Sequence, residues 1–448
     1  MTRSAVVRAE VAANLRLALP LVFAQMSFVS MGIVSTLIAG RLGPSALASV
    51  AIGSNIWFMI FVVFMGLFMA VAPIVAQRRG AGRPAAEAGA VLRGALWLAL
   101  AAGVFWMCLL YAISPLLLDL LALDSATRGY ALGYLHAVAP GAIPYAMFFA
   151  LRNAAEGCGQ TQTTLIAGLT GFTVNFFGAY GLASGRWGLP ALGPAGCGVA
   201  MSLAALSMTG TFALLFWRLP ALKPVALYSR SPGLPWPEMA EVLRLGRPIA
   251  LILAAEAWLF LIGTLLMARF DTLAVAAHQI AVNFCSLAFV VPVSIGIATA
   301  VQVGRAAGAG DAAGVLLRGQ IGIGLGATFA LVSASIMAGL PNLLVSFYTQ
   351  DEGVISLAVT FLYLAALFQI FDCVQATANG ALRGIKDTRT PMIITVAAYW
   401  LVGLPLALGL AFATRLGPAG LWWGFIGGLA VAATGLGLRF ARLSRVAA

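Results

Sequence analysis

Twelve apolar blocks constrain the fold of this chain more than any other feature of its sequence. They begin near residues 17, 48, 91, 128, 163, 191, 245, 276, 318, 355, 391 and 418. Each block has about 20 residues, the length that crosses ~30 Å of hydrocarbon as a helix. Backbone polar groups in lipid must be satisfied within the segment, and the alternating strands of a membrane barrel are absent from the sequence. The pattern predicts an all-α integral membrane protein with twelve transmembrane helices.

The composition and the charge distribution agree with a membrane location. Hydrophobic residues make up 62% of the chain and charged residues 9%, whereas a soluble protein has about a quarter charged. The net charge of +12 is spread over short loops and forms no basic face, so no nucleic-acid partner is expected. With both termini in the cytoplasm, most of the 26 basic residues lie inside, which is the positive-inside distribution. The five basic residues placed outside are Arg41, Arg128, Arg186, Arg269 and Arg415.

The N-terminal segment, residues 1–16, has no short apolar core and no small-residue cleavage site of a signal peptide. We therefore expect the first helix to stay in the mature protein. The same segment leads directly into the first apolar block. Two helix-opening prolines are expected, Pro20 in helix 1 and Pro248 in helix 7, because a missing N–H costs nothing in the first turn.

The sequence repeats itself at a shift of 228 residues. "LRLALP" at 15–20 falls on "LRLGRP" at 243–248, and Asn55 falls on Asn283. Each half holds six predicted helices, so both halves enter the membrane from the same side and form parallel repeats. We expect an N-terminal lobe over 1–217, a cytoplasmic linker over 218–243 and a C-terminal lobe over 244–448, with a pseudo-twofold axis along the membrane normal. Such an arrangement suits a rocking transporter, and the alternative is a duplicated scaffold without moving parts.

Two acidic residues lie well inside predicted helices: Glu256 in helix 7 and Asp372 in helix 10. An intramembrane acid costs at least ~2.5 kcal/mol on insertion scales, and such residues are usually functional. The alternative is a protonated acid that serves as a hydrogen-bonding contact between helices. Two acids in the same half favour the functional interpretation.

Polar side chains form stripes on two predicted helices. The stripes consist of Gln369, Asp372, Gln375 and Asn379 in helix 10, and of Gln279, Asn283 and Ser286 in helix 8. Spacings of three and four residues place each stripe on one helix face, and polar faces avoid lipid. Both faces are therefore expected to point into the second bundle and to line a hydrated cavity that binds a cation or a proton. Helix packing alone is the other explanation for such stripes.

The remaining reactive residues give no sign of enzymatic chemistry. The five cysteines read as small core residues, because no CxxC pair or metal-ligand spacing is present. His136 and His278 are expected to be hydrogen-bonded packing residues, with proton transfer as the alternative. A Walker loop and a Ser/His/Asp arrangement are both missing from the sequence. We therefore expect no enzyme activity and no cofactor other than a coupling ion.

Three longer motifs identify a family. "PIVAQRRGAGR" (73–83), "AAHQIAVNFCSLAFVVPVSIGIATAVQVGRAAGAGD" (276–311) and "ALRGIKDTRTPM" (381–392) resemble the multidrug and toxic compound extrusion (MATE) family, and its NorM-type branch in particular. The resemblance implies two six-helix lobes and export of cationic, amphipathic compounds in exchange for Na⁺ or H⁺. It also implies that Glu256 and Asp372 hold the coupling ion.

The resemblance has consequences for several further positions. Asp351 and Glu352 match an acidic pair that attracts cationic substrates in some relatives, with a solvated loop as the alternative. Ser35 stands where many relatives have an aspartate, so in the first lobe Asn175 is the remaining polar candidate. Phe368 replaces a tyrosine that lies near the ion in some relatives.

We therefore expect a monomeric antiporter in the bacterial inner membrane that exports organic cations. A flippase for lipid-linked oligosaccharide precursors, from the same superfamily, is the alternative. Such proteins tend to need basic residues in the cavity, and no arginine or lysine is predicted deep in a helix. A channel or a membrane-embedded enzyme is a third class, which the duplicated layout and the missing catalytic cluster disfavour.

Overall fold

The computed structural model describes residues 3–225 and 233–446, and within these ranges the regular structure is entirely helical. The helices are α1 (Arg3–Leu42), α2 (Pro44–Phe68), α3 (Val71–Gly80), α4 (Ala85–Leu120), α5 (Ser125–Val138), α6 (Ala142–Gly157), α7 (Thr161–Ser184), α8 (Pro194–Arg218), α9 (Trp236–Met267), α10 (Thr272–Gly308), α11 (Ala312–Gly339), α12 (Pro341–Ser346), α13 (Glu352–Gly384), α14 (Arg389–Ala397), α15 (Leu404–Phe412) and α16 (Pro418–Val446). Predicted helices 1, 5, 7, 8 and 10 correspond to α1, α7, α9, α10 and α13. In the described part of the chain, twelve helical segments are long and apolar enough to cross a membrane, which confirms the predicted fold class.

Several helices begin before the apolar blocks do. Helix α1 begins at Arg3 and α9 at Trp236, so each extends by roughly two turns or more beyond the bilayer-length core. Pro20 and Pro248 consequently lie inside these helices, and the prediction that they open them is wrong. The segments that precede these two apolar blocks contain good helix formers such as Ala, Arg and Glu, which allow each helix to begin early.

Three membrane segments are interrupted within their length. A short break after Phe68 separates α2 from α3, and a 3₁₀ turn containing Pro140 joins α5 to α6. Between α14 and α15 the chain forms a π-helical turn over Ala398–Gly403, directly before Pro405. Each break lies within a few residues of a proline, namely Pro73, Pro140 or Pro405, and proline removes a backbone donor from the helix. Proline alone does not decide the breaks, because α1 and α9 continue through Pro20 and Pro248.

Aspartates outside the membrane segments cap helices. Asp124 accepts a hydrogen bond from the backbone N–H of Thr127, and this bond lowers the pKa of the Asp124 carboxyl. Asp271, Asp311 and Asp351 cap α10, α11 and α13 in the same manner. These acids satisfy free N–H groups at helix starts, which is a structural role.

The described chain divides into two compact units. The N-terminal unit comprises residues 20–79 and 83–250, and the C-terminal unit comprises the described residues among 1–19, 80–82 and 251–448. The predicted lobe boundaries stay a prediction. Of the predicted linker 218–243, residues 226–232 lie outside the described residues.

In the N-terminal unit, α7 packs on α8, α4 on α6, and α8 on α5. A core of stacked aromatic rings joins α2 to α4 in the same unit. The rings of Trp57 and Trp106 stack at 4.4 Å between centroids, and those of Phe64 and Trp106 at 5.0 Å. Trp106 is fully buried, so this cluster is a rigid interior and not an exposed wall.

In the C-terminal unit, α13 lies at the centre and packs on α10, α11 and α16. Helices α10 and α13 approach closely where Gly296 faces Ala376 and Gly380, and a Cβ at Gly296 would lie 2.9 Å from the Ala376 carbonyl oxygen. Small residues at such contacts allow helix backbones to approach in a membrane. This close packing buries the middle of α13, where the candidate site lies.

Candidate functional site

Asp372 lies in the centre of α13 with a side chain that is 3% exposed. Its Oδ1 atom is buried and has no hydrogen-bond partner among the described residues. Leaving a buried acceptor unpaired costs about 1–3 kcal/mol, and more when the group is charged. A bound proton or cation removes this cost, so the environment of Asp372 is suited to binding either one.

Glu256 lies on α9, within the part of that helix that belongs to the C-terminal unit. It is partly buried, and its carboxyl is close enough to that of Asp372 for the two charges to interact. Neither acid forms an ion pair with a basic residue in the described ranges. Two neighbouring carboxyls without a basic partner repel each other when both are ionised, which favours uptake of a cation or a proton.

The polar neighbours of Asp372 on α13 are buried as well. Gln369, Gln375 and Asn379 are at most 8% exposed, so the predicted stripe does point into the unit. Gln369 Nε2 donates to the Cys373 sulfur at 3.2 Å, while Gln369 Oε1 is buried without a partner among the described residues. The stripe therefore offers one unpaired amide oxygen, Gln369 Oε1, one turn from Asp372.

Tyr399 is a member of this site that the sequence pattern did not reveal. It lies in the π-helical turn, is 2% exposed, and its hydroxyl donates to Gln375 Oε1 at 2.8 Å. Its hydroxyl is also within range of the charges of Glu256 and Asp372. In the sequence it is a lone tyrosine in an apolar block, and the only local signal was the nearby Gly403 and Pro405.

Two thiols complete the surroundings of Asp372. Cys285 on α10 and Cys373 on α13 both lie within range of the Asp372 charge. No disulfide joins the five cysteines, all of which lie in the described ranges. Cys158, Cys197, Cys285 and Cys373 are buried, as predicted for core residues, whereas Cys108 is exposed, so the prediction is wrong for that residue.

The polar stripe on α10 behaves differently from the stripe on α13. Gln279, Asn283 and Ser286 are exposed, and Gln279 Nε2 donates to Asn283 Oδ1 at 3.0 Å. These residues share one face, as predicted, but they are not packed among other side chains. Their role in lining a cavity stays a prediction.

Phe368 is 1% exposed and lies in an aromatic cluster of the C-terminal unit. Its ring meets Phe260 at 5.6 Å and Trp422 at 5.9 Å between centroids, both edge to face. The site thus receives no hydroxyl from this position. His278 joins the same cluster through Trp422 at 5.5 Å and is 3.3 Å from the Thr264 hydroxyl.

Asp351 and Glu352 lie at the start of α13 and are exposed. Asp351 Oδ1 accepts a hydrogen bond from the Val354 N–H at 3.0 Å, so this carboxylate caps the helix. Glu352 is in the first turn, where a negative charge also stabilises the helix. Helix capping is a sufficient role for the Asp351 carboxylate, with no substrate involved. Attraction of cationic substrates by Asp351 and Glu352 stays a prediction.

The polar candidates of the first half lie in the N-terminal unit. The Ser35 hydroxyl donates to the Met31 carbonyl at 3.1 Å, which is a bond within α1. Asn175 on α7 is fully buried, and neither its amide nitrogen nor its oxygen has a partner among the described residues. The N-terminal unit therefore has an unpaired amide at the predicted position, with a neutral serine as the other candidate.

A buried ion pair in the N-terminal unit was missed by the sequence analysis. Arg152 Nε and Glu156 Oε1 are 2.6 Å apart, and the side chains are 6% and 1% exposed. Thr164 donates to the same carboxylate oxygen at 3.1 Å, and Arg152 Nη1 donates to Gln25 Oε1 at 3.3 Å. The predicted helix ended before these residues, whereas α6 runs to Gly157. The spacing of four residues between opposite charges was the available signal.

Comparison with known proteins assigns the chain to a family. The family model described as MatE matches residues 20–180 and 248–408. The chain belongs to the MATE family. The two matches are offset by the same 228 residues as the internal repeat, so each half of this MATE chain carries one family unit.

Curated MATE relatives cover nearly the whole chain. The multidrug resistance protein PmpM of Pseudomonas aeruginosa is 37% identical over 454 residues, which covers 99% of this chain and 94% of the relative. The multidrug resistance protein MdtK of Edwardsiella ictaluri is 36% identical and covers 96% and 95%, respectively. Relatives of this similarity and coverage make the NorM-type branch plausible.

Solved structures share the fold. A eukaryotic MATE transporter, AtDTX14, superposes with a TM-score of 0.88 at 21% identity and covers 98% of both chains. A multidrug resistance MATE transporter in an outward-facing conformation superposes with a TM-score of 0.88 at 18% identity, covering 98% of this chain and 96% of that one. These similarities confirm the all-α fold of a MATE transporter.

Proposed function

We propose that this MATE protein is a secondary active multidrug exporter that moves cationic amphipathic compounds out of a bacterial cell in exchange for Na⁺ or H⁺. Relatives that cover nearly the whole chain are named multidrug resistance proteins, which supports drug efflux. A transporter of this class catalyses no chemical reaction, and the coupling ion is carried rather than kept as a cofactor.

One observation carries the proposal for ion coupling. Asp372 has an unpaired, buried carboxyl oxygen, and Glu256 is near enough for its charge to act on Asp372. Such a pair holds one monovalent cation or one proton more readily than it holds none. Ion binding and drug binding then compete, because each neutralises the same negative charge.

The proposed cycle follows from this competition. A cationic drug and the coupling ion can each neutralise the charge of the acid pair, but the two do not bind to the pair at the same time. Entry of the ion from outside displaces the drug, and the electrochemical gradient of the ion supplies the free energy for export. A ligand shifts a conformational equilibrium only by its differential affinity for the two states, so the acid pair must bind the ion differently in each state.

The flippase alternative requires an available cation for a pyrophosphate group. Arg152 is buried, but its guanidinium is paired with Glu156 at 2.6 Å. A paired arginine offers little positive charge to a second anion, and breaking the pair is costly. This pairing favours the export of cations over the flippase alternative.

The surroundings of the protein are part of the proposal. The twelve spans and the bacterial relatives support a multi-pass protein of the inner membrane. The distribution of basic residues over the loops favours cytoplasmic termini, and we propose that the protein acts as a monomer.

Efflux measured in proteoliposomes tests this function. The purified protein is reconstituted, a Na⁺ gradient and a pH gradient are imposed separately, and transport of an ethidium-like dye is followed. We expect one gradient to drive dye movement and the Asp372→Asn variant to lose it. Dye movement of equal rate with no gradient, or none with either gradient, would contradict the proposal.

A further inference from the structure

Tyr399 lies within electrostatic range of the acid pair and on a different membrane segment from either acid. The hydroxyl donates its proton to Gln375 Oε1 at 2.8 Å, and Gln375 lies one turn beyond Asp372 on α13. The tyrosine is 2% exposed, and Glu256 and Asp372 are both within electrostatic range of its hydroxyl. A polar group buried at this point is in position to take part in ion binding.

The π-helical turn is what brings Tyr399 to this position. The N–H of Leu404 donates to the Tyr399 carbonyl, five residues earlier, which is the π pattern. An inserted residue rotates the side chains on one side of the turn relative to those on the other, and such turns occur frequently at functional sites. The π turn therefore directs Tyr399 differently from a regular α-helix.

Close packing against α16 accommodates the π turn. A Cβ added to Gly428 would lie 2.9 Å from both the Ala398 carbonyl oxygen and Gly403 Cα. Real Cβ atoms do not approach that closely, and both contacted atoms are backbone. Gly428 thus leaves space for the π turn, and a larger residue at this position must displace the turn.

The chemistry of the hydroxyl suits ion binding. A tyrosine hydroxyl has one proton to donate and lone pairs that accept. The proton is used on Gln375 Oε1, so the oxygen can act only as an acceptor towards a further group. On α13, Asp372 Oδ1 and Gln369 Oε1 are buried acceptors without partners in the described part of the chain. Oxygen acceptors around a carboxylate pair are the ligands that a hard monovalent cation requires.

We propose that Tyr399 is a third member of the coupling site, in which its hydroxyl oxygen is a neutral acceptor for the coupling ion. With Na⁺, the oxygen binds the cation directly. With H⁺, it accepts a hydrogen bond from the protonated carboxyl of the acid pair. This inference rests on the ion exchange proposed above and adds a residue to that site.

The Tyr399→Phe variant tests the inference because it removes the hydroxyl and keeps the ring. Tyr145→Phe is the matched control, since Tyr145 is likewise buried (1% exposed) but its hydroxyl faces Met201 Sδ at 3.9 Å in the N-terminal unit. The measurement is the half-saturating Na⁺ concentration, or the pH midpoint, of dye exchange in proteoliposomes. Dye binding to the purified protein without a gradient is measured in parallel.

We expect Tyr399→Phe to raise the half-saturating ion concentration by roughly tenfold or more, the usual effect of losing a hydrogen bond or ligand to a charged group. For H⁺ the equivalent change is a shift of the pH midpoint by about one unit or more towards acid. Dye binding without a gradient should change little, and Tyr145→Phe should match the wild type. A merely structural role would lower protein yield or maximal rate and leave the ion midpoint unchanged.

A second variant keeps the hydroxyl and moves it. Gly428→Ala should displace the π turn and, like Tyr399→Phe, raise the half-saturating ion concentration or shift the pH midpoint towards acid. If the wild-type protein exchanges dye for an ion and Tyr399→Phe has the same ion midpoint, the inference is overturned and the proposed function stands. Wild-type protein without any ion-driven exchange overturns the proposed function and the inference with it.

Discussion

Asp372 on α13 and Glu256 on α9 are close enough for their charges to interact, although they lie on different helices of the C-terminal unit. Neither is paired with a basic residue in the described ranges. Two acids left together without a counter-ion are costly unless a proton or cation binds there. This relationship, more than the burial of either acid, motivates the predictions for the coupling site.

Neutral replacement of either acid should abolish coupling and preserve the fold. We expect Glu256→Gln and Asp372→Asn to insert into the membrane at wild-type levels and to lose ion-driven dye export. An amide keeps the size of the carboxyl and removes its charge, so packing around α13 is retained. Vesicle transport together with membrane expression measures both effects. Export at the wild-type rate by either variant would mean that the acid is only a hydrogen-bonding contact between helices.

Substrates should be lipophilic cations. The described acid pair supplies negative charge, and the buried Arg152 is neutralised by Glu156. We expect cells that express the protein to resist ethidium-like dyes and to gain no resistance to anionic compounds of similar size. Minimum inhibitory concentrations for matched cationic and anionic panels measure this. Protection against the anions alone would contradict the prediction.

Ion coupling should depend far more on the C-terminal unit than on Ser35. The Ser35 hydroxyl is neutral and donates to the Met31 carbonyl, so it neither holds a cation by charge nor releases a proton near neutral pH. We expect Ser35→Ala to reduce ion-driven efflux slightly and Asp372→Asn to abolish it. Both rates are measured in the same vesicles at equal expression. A loss in Ser35→Ala as complete as in Asp372→Asn would place ion binding in the N-terminal unit.

The buried pair Arg152–Glu156 should matter for stability. Removing one partner of a buried pair leaves an uncompensated charge and typically costs about 3–5 kcal/mol, whereas replacing both is tolerated. We expect Arg152→Met to lower the thermal unfolding temperature in detergent strongly, and the double variant Arg152→Met/Glu156→Leu to recover much of the loss.

The exposed pair Arg128–Asp119 is the matched control for this experiment. Exposed ion pairs contribute little, so Arg128→Gln should leave the unfolding temperature nearly unchanged. Equal shifts for Arg152→Met and Arg128→Gln would show that burial adds nothing to the N-terminal pair.

The sequence was sufficient to predict the twelve helices, because length and apolarity alone decide whether a segment can cross a bilayer. It also singled out Glu256 and Asp372, since an acid inside an apolar block is conspicuous without any knowledge of its neighbours. Helical spacing predicted the face shared by Gln369, Asp372 and Gln375, and the structure buries that face. The matching spacing on α10 predicted a shared face, but not that Gln279 and Asn283 would be exposed.

Other features depended on tertiary structure. Periodicity describes one helix at a time, so it does not tell which side chains from different helices meet. The approach of Glu256 to Asp372 depends on how α9 packs near α13, and Tyr399 joins them through a π turn that the α-helical period does not describe. Likewise, the burial of the Arg152–Glu156 pair depends on tertiary structure. Helix α6 extends past its apolar block, and Thr164 and Gln25 form hydrogen bonds with the pair. The sequence by itself determined which groups are expensive to bury, and the packing of the helices decided which of those groups share a site.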